Sequence, residues 1–355
     1  MSRLACLLRD HQQALVEHYG HRFSTQHHRA IQAITQCHTP ECGRLLSECN
    51  QCHFLKEQCR SCGHRSCPEC QYTTQQQWLS RQLQKQLPVT YFMVTFTLPA
   101  QLRGFAFAHP QLTYNWLFQC ATDTLKTFSA NDPKLGDAIG MTGVLHTHTR
   151  KLDYHPHVHF VLPGGGYDVR HRSWLCKKDH YFLNGKALAR VFRGKFLAAM
   201  SAAGFIVPKG KLPWVAQAKA VGRGEKALQY LSRYLYRGVI ADKNIVNITP
   251  DQVTFRYQDS GTRTIKRQTL PVLEFLWKVL QHVLPKGFRR ARDYGFLHGN
   301  AKKLHAQVRQ ALNAPVPTPE PAGDFGYCCP QCGHRSRTLR FRVAKRTFLL
   351  RQSTN

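Results

Sequence analysis

The chain has 355 residues, 42% of them hydrophobic, which is enough for a core in one large domain or several smaller ones. Its 50 Lys and Arg against 20 Asp and Glu give a formal net charge of +30, which predicts a polyanionic partner and favours nucleic acid over a membrane surface. The sequence does not begin with a signal-peptide pattern, and no run reaches the roughly 18 apolar residues of a spanning helix. We therefore expect a cytoplasmic protein with no membrane partner, associated with the nucleoid when bound to DNA.

The N-terminal part of the sequence combines helical segments with a cysteine-rich stretch. Apolar residues recur at helical spacing over residues 3–36, with a break at Gly20. Eight of the 14 cysteines follow between residues 37 and 70, and six of them form Cys-x-x-Cys pairs, which are typical of knuckles that direct two sulfur atoms at one zinc ion. In a reducing compartment such clusters indicate metal ligands rather than disulfides.

We expect structural zinc in this N-terminal domain, at residues 1–86. The simplest ligand set for one ion consists of Cys49, Cys52, Cys67 and Cys70. A second ion would take Cys37, Cys42, Cys59 and Cys62. The pattern leaves one or two ions open. Arg65 lies among these residues and is a candidate DNA contact, although a purely structural knuckle is equally consistent with the pattern.

The central part of the sequence predicts alternating helices and strands. A glutamine-rich helix over residues 73–87 precedes a strand at 91–99, where β-branched and aromatic residues are typical of a buried strand. A helix at 111–128 and a strand at 139–149 follow. Because only a short polar connection leads from there into the next strand, we expect the two strands to pair as an antiparallel hairpin.

The second strand of this hairpin carries His155, His157 and His159 at alternate positions. Alternate side chains of a strand project from the same face, so the three imidazoles lie together while apolar residues face the other way. The hairpin would also bring His146 close to His157. Imidazoles arranged in this way can hold a divalent cation with coordination positions left open.

A predicted helix over residues 225–238 carries a second pattern and ends at a glycine. Tyr230 and Tyr234 are four residues apart and therefore share one face of it. Arg233 and Arg237 are candidate DNA contacts. The tyrosines are candidate nucleophiles, but aromatic residues on an amphipathic helix also serve as core residues or stack on DNA bases.

Histidines and tyrosines together permit one kind of chemistry on DNA. A metal held by the histidines would polarise a phosphodiester, and a tyrosine phenolate would attack it in line, leaving a covalent phosphotyrosine and a free 3′-hydroxyl. The phosphotyrosine bond conserves the energy of the broken phosphodiester, so strands can be rejoined without ATP. The sequence accordingly contains no Gly-x-x-x-x-Gly-Lys phosphate-binding loop. Two tyrosines on one face suggest two successive attacks.

The C-terminal part of the sequence begins with strands predicted over residues 252–258 and 262–270. We divide the chain into the zinc-binding domain, a catalytic domain at 87–270, a basic helical region at 271–312, and a Pro-rich linker with a basic tail at 313–355. The tail carries Cys328, Cys329, Cys332 and His334. These four residues either complete a metal site or are a vestige that binds no metal.

Several of these segments resemble one known family. His157, Val158 and His159, set between a His-Pro pair and an apolar run that ends in Pro-Gly-Gly, resemble the HUH motif of single-strand DNA nucleases. Residues 230–234 resemble the two-tyrosine motif of the rolling-circle transposases of the insertion sequence ninety-one family. Residues 61–71 are similar to that family's N-terminal zinc-binding domain, and residues 329–333 to its C-terminal tail. The likeness covers about residues 10–335, with the motifs in the family's order.

This resemblance implies an α+β fold with an HUH endonuclease core, in which helices flank an antiparallel sheet and the histidines lie on a central strand beside the tyrosine helix. It implies that His157 and His159 bind Mg²⁺ or Mn²⁺ and that Tyr230 and Tyr234 are the nucleophiles. The substrate would be single-stranded DNA at transposon ends. The third metal ligand is open among His155, His146, Glu225 and Gln229.

Two other functions are compatible with the same residues. A plasmid replication initiator or relaxase would use the same chemistry, although the zinc module and the order of motifs favour a transposase. A noncatalytic, zinc-dependent nucleic-acid-binding protein would use the histidines and tyrosines only as contacts. Target sequence, the order of the two attacks and the oligomeric state cannot be predicted from the sequence.

Overall fold

The structure is a computed structural model that describes residues 2–176, 183–210, 212–236, 238–259, 261–315, 327–343 and 346–349. Its α-helices, in chain order, are α1 (Arg3–Asp10), α2 (Gln12–Tyr19), α3 (Thr25–Gln36), α4 (Tyr72–Gln84), α5 (Arg103–Ala108), α6 (Pro110–Ala130), α7 (Gly185–Ala202), α8 (Glu225–Tyr236), α9 (Val272–Leu280) and α10 (Lys302–Ala311). Its strands are β1 (Arg44–Cys49), β2 (Leu55–Cys59), β3 (Tyr91–Thr97), β4 (Gly140–His148), β5 (Tyr154–Pro163), β6 (Gly165–Asp168), β7 (Ser173–Cys176), β8 (Val215–Ala220), β9 (Ile245–Ile248), β10 (Gln252–Gln258), β11 (Ile265–Pro271), β12 (Ala291–Gly295), β13 (Tyr327–Cys328), β14 (Arg335–Val343) and β15 (Arg346–Leu349).

A five-stranded antiparallel sheet in the order β12-β4-β5-β3-β8 forms the centre of the molecule. Helices α5, α6 and α7 cover one face, where Phe160 packs against Phe96 and Phe118 with edge-to-face rings. Helices α4 and α8 cover part of the other face, with Leu231 of α8 in the same apolar cluster as Val144 and Val161 of the sheet. The predicted α+β class, with helices flanking an antiparallel sheet, is confirmed.

The predicted hairpin is also present. Strands β4 and β5 pair antiparallel, and His146 is the direct cross-strand partner of His157. An irregularity in the pairing follows between His146 and His148. Gly143 lies close to the Phe160 ring, since a Cβ atom at this position would come within 2.7 Å of it. The hairpin therefore needs a small residue in β4 opposite Phe160.

The glycines that follow the apolar run of β5, at residues 164–166, form a bend at Gly164 followed directly by strand β6. Glycine is needed here for close approach of backbone rather than for turning. A Cβ atom at Gly165 would lie 2.4 Å from the Leu175 carbonyl oxygen of the paired strand β7.

Strand β12 was not expected, since its residues fall in the region at 271–312 that was predicted to be basic and helical, and they lack an apolar alternation. It pairs with β4 at the edge of the central sheet. Its charges are stabilised locally: the Asp293 carboxylate accepts hydrogen bonds from Lys85, Gln82 and Thr142, and the Arg292 guanidinium stacks 4.3 Å from the Phe118 ring. Local propensity therefore did not reveal this strand.

Packing crosses the boundaries drawn from the sequence. Helices α1–α3 form a core with α9 and with the small sheet β11-β10-β9, in which Leu8, Leu15 and Phe275 are fully buried. The tail strand β14 pairs with β1, so the sheet β13-β14-β1-β2 joins the C-terminal tail to the N-terminal domain. No helix within the described ranges has both the length and the apolar character needed to cross a membrane.

We expect Phe160→Ala to lower the free energy of unfolding by about 3–5 kcal/mol, because it leaves a cavity between α6 and the central sheet. Urea denaturation followed by tryptophan fluorescence measures this. Ile206→Ala is the control, since Ile206 is 94% exposed and its truncation removes no packing. Equal stability of the two variants would contradict the assigned core.

Candidate active site

Three histidines come together on one face of the central sheet. His146 of β4 and His157 and His159 of β5 place potential ligand nitrogens within 4.8 Å of one another. Their ring centroids are 4.4–5.2 Å apart, and His146 and His159 are buried while His157 is partly exposed. The cross-strand pairing of His146 with His157 and the alternation along β5 produce this cluster.

The hydrogen bonds of the imidazoles suit them to bind a cation. Nδ1 of His157 donates to the His155 carbonyl oxygen at 2.6 Å, which leaves the Nε2 lone pair available. The Thr95 hydroxyl lies 2.7 Å from Nδ1 of His159 and can accept its proton in the same way. Nε2 of His146 is buried and has no hydrogen-bond partner among the described residues. A metal ion would satisfy that atom.

Burial keeps these histidines neutral. It lowers the pKa of His159 to about 4 and the pKa of His146 and His157 well below the usual range, and the positive charges of neighbouring imidazoles lower the latter two further. Neutral imidazole is the form that binds metal.

His155 shares the face of His157 and His159 but is not part of the cluster. Its Nδ1 instead lies 2.6 Å from the Arg103 guanidinium of α5. Burial and this cation lower the pKa of His155. Glu225, which was also a candidate for the third ligand, lies outside the cluster as well. His146 is therefore the residue that joins His157 and His159 in the cluster.

Helix α8 places both tyrosines beside the histidines. The apolar stripe of this helix, formed by Leu228, Leu231 and Leu235, is buried against the sheet. The helix face that carries the two tyrosines therefore lies next to the histidine cluster. The Tyr234 ring stacks on His146 at 4.4 Å with an interplanar angle of 17°, and the Tyr230 ring is 6.3 Å from His159. The two tyrosine rings are 4.7 Å apart.

The pKa of Tyr230 is raised, first by burial and then by the neighbouring Tyr234, while the charge of Arg150 acts in the opposite direction. Tyr230 is therefore protonated at neutral pH. His148, which the sequence reading left without a role, lies 5.7 Å from the Tyr234 ring.

A cleft of about 450 Å³ opens beside the tyrosines. Tyr230 and Tyr234 of α8 line it together with Phe255, Arg256 and Tyr257 of β10. Arg150 also borders it and donates to the side chain and carbonyl of Gln258. Sequence reasoning assigned no function to these β10 residues, although an arginine between two aromatic residues in a strand is a signal for a nucleic-acid contact.

The three arginines predicted to contact DNA have different surroundings. Arg233 is exposed and lines the cleft. Arg237 lies outside the described residues. Arg65 donates to the Phe288 carbonyl oxygen at 2.9 Å, and burial lowers its pKa, so this side chain joins two parts of the protein.

The cysteines form two groups whose composition differs from the expected one. Cys37, Cys62, Cys67 and Cys70 form the first group, with their sulfur atoms within 4.8 Å of one another. Contacts with Cys62 and Cys67 lower the pKa of Cys70, which favours a thiolate there. This group combines Cys37, at the end of α3, with the loop before α4.

Cys49 and Cys52 do not join Cys67 and Cys70 as expected. They meet Cys329 and Cys332 of the tail instead, because strand β14 lies next to β1. Cys42 and Cys59 belong to neither group. The expected ligand sets combined cysteines that are close in sequence. In the structure, the pairing of β14 with β1 brings the tail cysteines next to Cys49 and Cys52 instead.

Two family descriptions match the chain, "Transposase zinc-binding domain" over residues 7–98 and "Putative transposase" over residues 140–304. The first match contains the first cysteine group, and the second contains the histidine cluster and both tyrosines. The chain is 34% identical over 334 residues to "Putative transposase y4qJ" of Sinorhizobium fredii (strain NBRC 101917 / NGR234), which covers 85% of this chain and 84% of that protein. It is 29% identical over 292 residues to "Transposase for insertion sequence element IS801" of Pseudomonas savastanoi pv. phaseolicola, covering 77% of this chain and 70% of that protein. No solved structure gives a significant match.

The fold, the site and these matches define a DNA transposase with an N-terminal zinc-binding domain. The chain belongs to the IS91 family of insertion-sequence transposases, as its motifs predicted. Its substrate is therefore DNA, and its activity is DNA cleavage and transfer.

We expect Cys62→Ser to lower the zinc content of the purified protein by one ion per chain, because it removes a thiolate from the first group. Cys42→Ser is the matched control, since Cys42 lies in the same domain but outside both groups, and it should keep the zinc content of the unmodified protein. Elemental analysis by mass spectrometry measures both. Loss of zinc in the control alone would contradict the grouping.

Proposed function

We propose that this transposase nicks and rejoins single-stranded DNA at transposon ends through a covalent 5′-phosphotyrosine intermediate, in rolling-circle transposition. One observation carries the proposal: two tyrosines on one helix face lie against a buried histidine cluster, at the edge of a cleft with aromatic and cationic walls. A noncatalytic binding protein has no need of buried, neutral histidines beside those tyrosines. The reaction on chromosomal DNA agrees with the expected cytoplasmic, nucleoid-associated location.

His146, His157 and His159 would hold the catalytic Mg²⁺ or Mn²⁺. The buried Nε2 of His146 without a partner and the neutral state of all three imidazoles fit a metal site. Imidazole ligands suit transition metals, whereas Mg²⁺ prefers oxygen, so this donor set favours Mn²⁺. The bound ion would supply polarisation of the phosphodiester oxygens and stabilise their developing charge.

The tyrosine oxygen attacks the scissile phosphorus, so that a phosphorus–oxygen bond to tyrosine forms as the bond to the 3′ oxygen breaks. The phenol proton leaves during the attack, and the departing 3′ oxygen takes up a proton. The 5′ phosphate remains on the protein, and a later attack by a 3′-hydroxyl reverses the step and joins two strands. Because one phosphodiester is exchanged for another, no nucleotide cofactor is needed.

Other residues of the cleft would position the strand. Arg150, Arg233 and Arg256 offer cationic donors to phosphates, and the partly exposed ring of Tyr257 offers a face on which an unpaired base stacks. Lys151 lies 5.8 Å from the Tyr257 ring and adds positive charge to the same edge. Stacking requires splayed bases, which supports single-stranded rather than duplex substrate.

We expect the Tyr230→Phe, Tyr234→Phe double variant to form no covalent protein–DNA adduct, because both nucleophilic oxygens are removed. A labelled single strand from the transposon end, incubated with Mn²⁺ and separated on a denaturing gel, measures the adduct. Tyr236→Phe is the matched control on the same helix; its ring lies against Trp78 instead of the histidines, so the adduct should persist. An adduct in the double variant would refute the assigned nucleophiles.

We expect His159→Ala to weaken Mn²⁺ binding at least about 10-fold, and Thr95→Val to weaken it about 10–100-fold because the imidazole loses its orienting partner. Titration of the metal followed by electron paramagnetic resonance measures free Mn²⁺. His155→Ala should bind Mn²⁺ as the unmodified protein does. If His155→Ala lost binding and His146→Ala kept it, His155 would replace His146 as third ligand.

A further inference from the structure

Two Cys-x-x-Cys knuckles from opposite ends of the chain meet beside the N-terminal sheet. Cys49 is the last residue of β1 and Cys52 follows it, and Cys329 and Cys332 precede β14. The sulfur atoms of Cys49 and Cys332 are 3.4 Å apart, as are those of Cys52 and Cys332, and those of Cys52 and Cys329 are 3.6 Å apart. All four sulfur atoms lie within 4.8 Å of one another. The matched zinc-binding domain, at residues 7–98, includes only the first knuckle.

We propose that these four cysteines bind a second zinc ion that fastens the C-terminal tail to the N-terminal domain. This site is separate from the tyrosine cleft and does not depend on the proposed strand-transfer chemistry.

The spacing of the sulfur atoms fits zinc. Four thiolates at about 2.3 Å from a tetrahedral ion are about 3.8 Å from one another, close to the observed separations, whereas disulfide bonding needs about 2.05 Å. Cys328 lies next to the second knuckle but is exposed and outside the group. Four protein ligands leave no open coordination position, so the ion would be structural.

The backbone around the knuckles directs amide groups at the sulfur atoms. The Cys52 and Gln51 amides both point at Cys49 Sγ, at 3.5 and 3.4 Å. The Gln331 amide lies 3.4 Å from Cys329 Sγ in the same geometry. The first cysteine group shows the same feature, with the His64 amide 3.4 Å from Cys62 Sγ. The two groups are therefore built alike, although the second joins distant parts of the chain.

Few buried side chains hold the described part of the tail. Within residues 328–340, Cys329 is the one buried side chain, so no apolar core forms there. The attachments of these residues include backbone pairing of β14 with β1, a hydrogen bond from the Asn50 amide to the Arg335 carbonyl, and an exposed ion pair of Arg337 with Glu48. Exposed ion pairs contribute little, whereas binding of a structural zinc contributes enough to order a small unit.

The test uses the purified full-length protein. We expect two zinc ions per chain in the unmodified protein and one in the Cys329→Ser, Cys332→Ser double variant. Cys328→Ser, the neighbouring matched control, should keep two. Elemental analysis by mass spectrometry gives the stoichiometry. Hydrogen exchange should show that the double variant loses amide protection in β14 while β4 and β5 remain protected, which separates release of the tail from general unfolding.

One zinc ion in the unmodified protein, or two in the double variant, would overturn the proposal. So would unchanged protection of β14 in a double variant that has lost one ion, because the zinc would then not be what holds the tail. None of these results depends on DNA cleavage, so failure of this proposal is distinct from failure of the proposed function.

Discussion

The antiparallel pairing of β4 with β5 is the constraint on which the site depends. Its register sets His146 opposite His157, and the same strand β5 pairs with β3 so that Thr95 lies opposite His159. The two neighbours of β5 thus supply a third histidine of the cluster and a hydroxyl that lies 2.7 Å from Nδ1 of His159. A shift of one residue in either pairing would turn these side chains to the other face of the sheet and abolish the cluster.

Arg290 ties the tyrosine helix to this hairpin. Its guanidinium donates to the Leu145 carbonyl of β4 at 3.0 Å and to the Leu235 carbonyl near the end of α8 at 3.4 Å. Burial lowers the pKa of Arg290 to about 10, so it stays charged at neutral pH, and its charge adds to the lowering of the pKa of His146 and His148. One cation therefore sets the distance between helix and sheet and disfavours protonation of the imidazoles between them.

Local patterns were sufficient to predict the elements that carry the site, because strand alternation and the four-residue helical spacing are short-range. They left His155 and His146 as alternatives for a place beside His157 and His159. From His155 to His159 a strand advances about 13 Å at 3.3 Å per residue, whereas a cross-strand neighbour is about 5 Å away. The structure accordingly groups His146 of the adjacent strand, and not His155, with His157 and His159. The alternation of side chains along β5 could not distinguish His155 from His146, whereas the register of the β4–β5 hairpin does.

The cysteine grouping lay beyond sequence reasoning for a different reason. Each knuckle is visible in the sequence because it is local, but the choice of partner knuckle depends on which strands pair. The sequence pattern put Cys49 and Cys52 with Cys67 and Cys70, yet in the structure Cys37, at the end of helix α3, and Cys62 complete the group of Cys67 and Cys70. The knuckle of Cys49 and Cys52 lies instead against Cys329 and Cys332 of the tail, more than 270 residues further along the chain. Closing so long a loop costs conformational entropy, but that cost grows only with the logarithm of loop length, so a favourable metal–thiolate interaction can offset it.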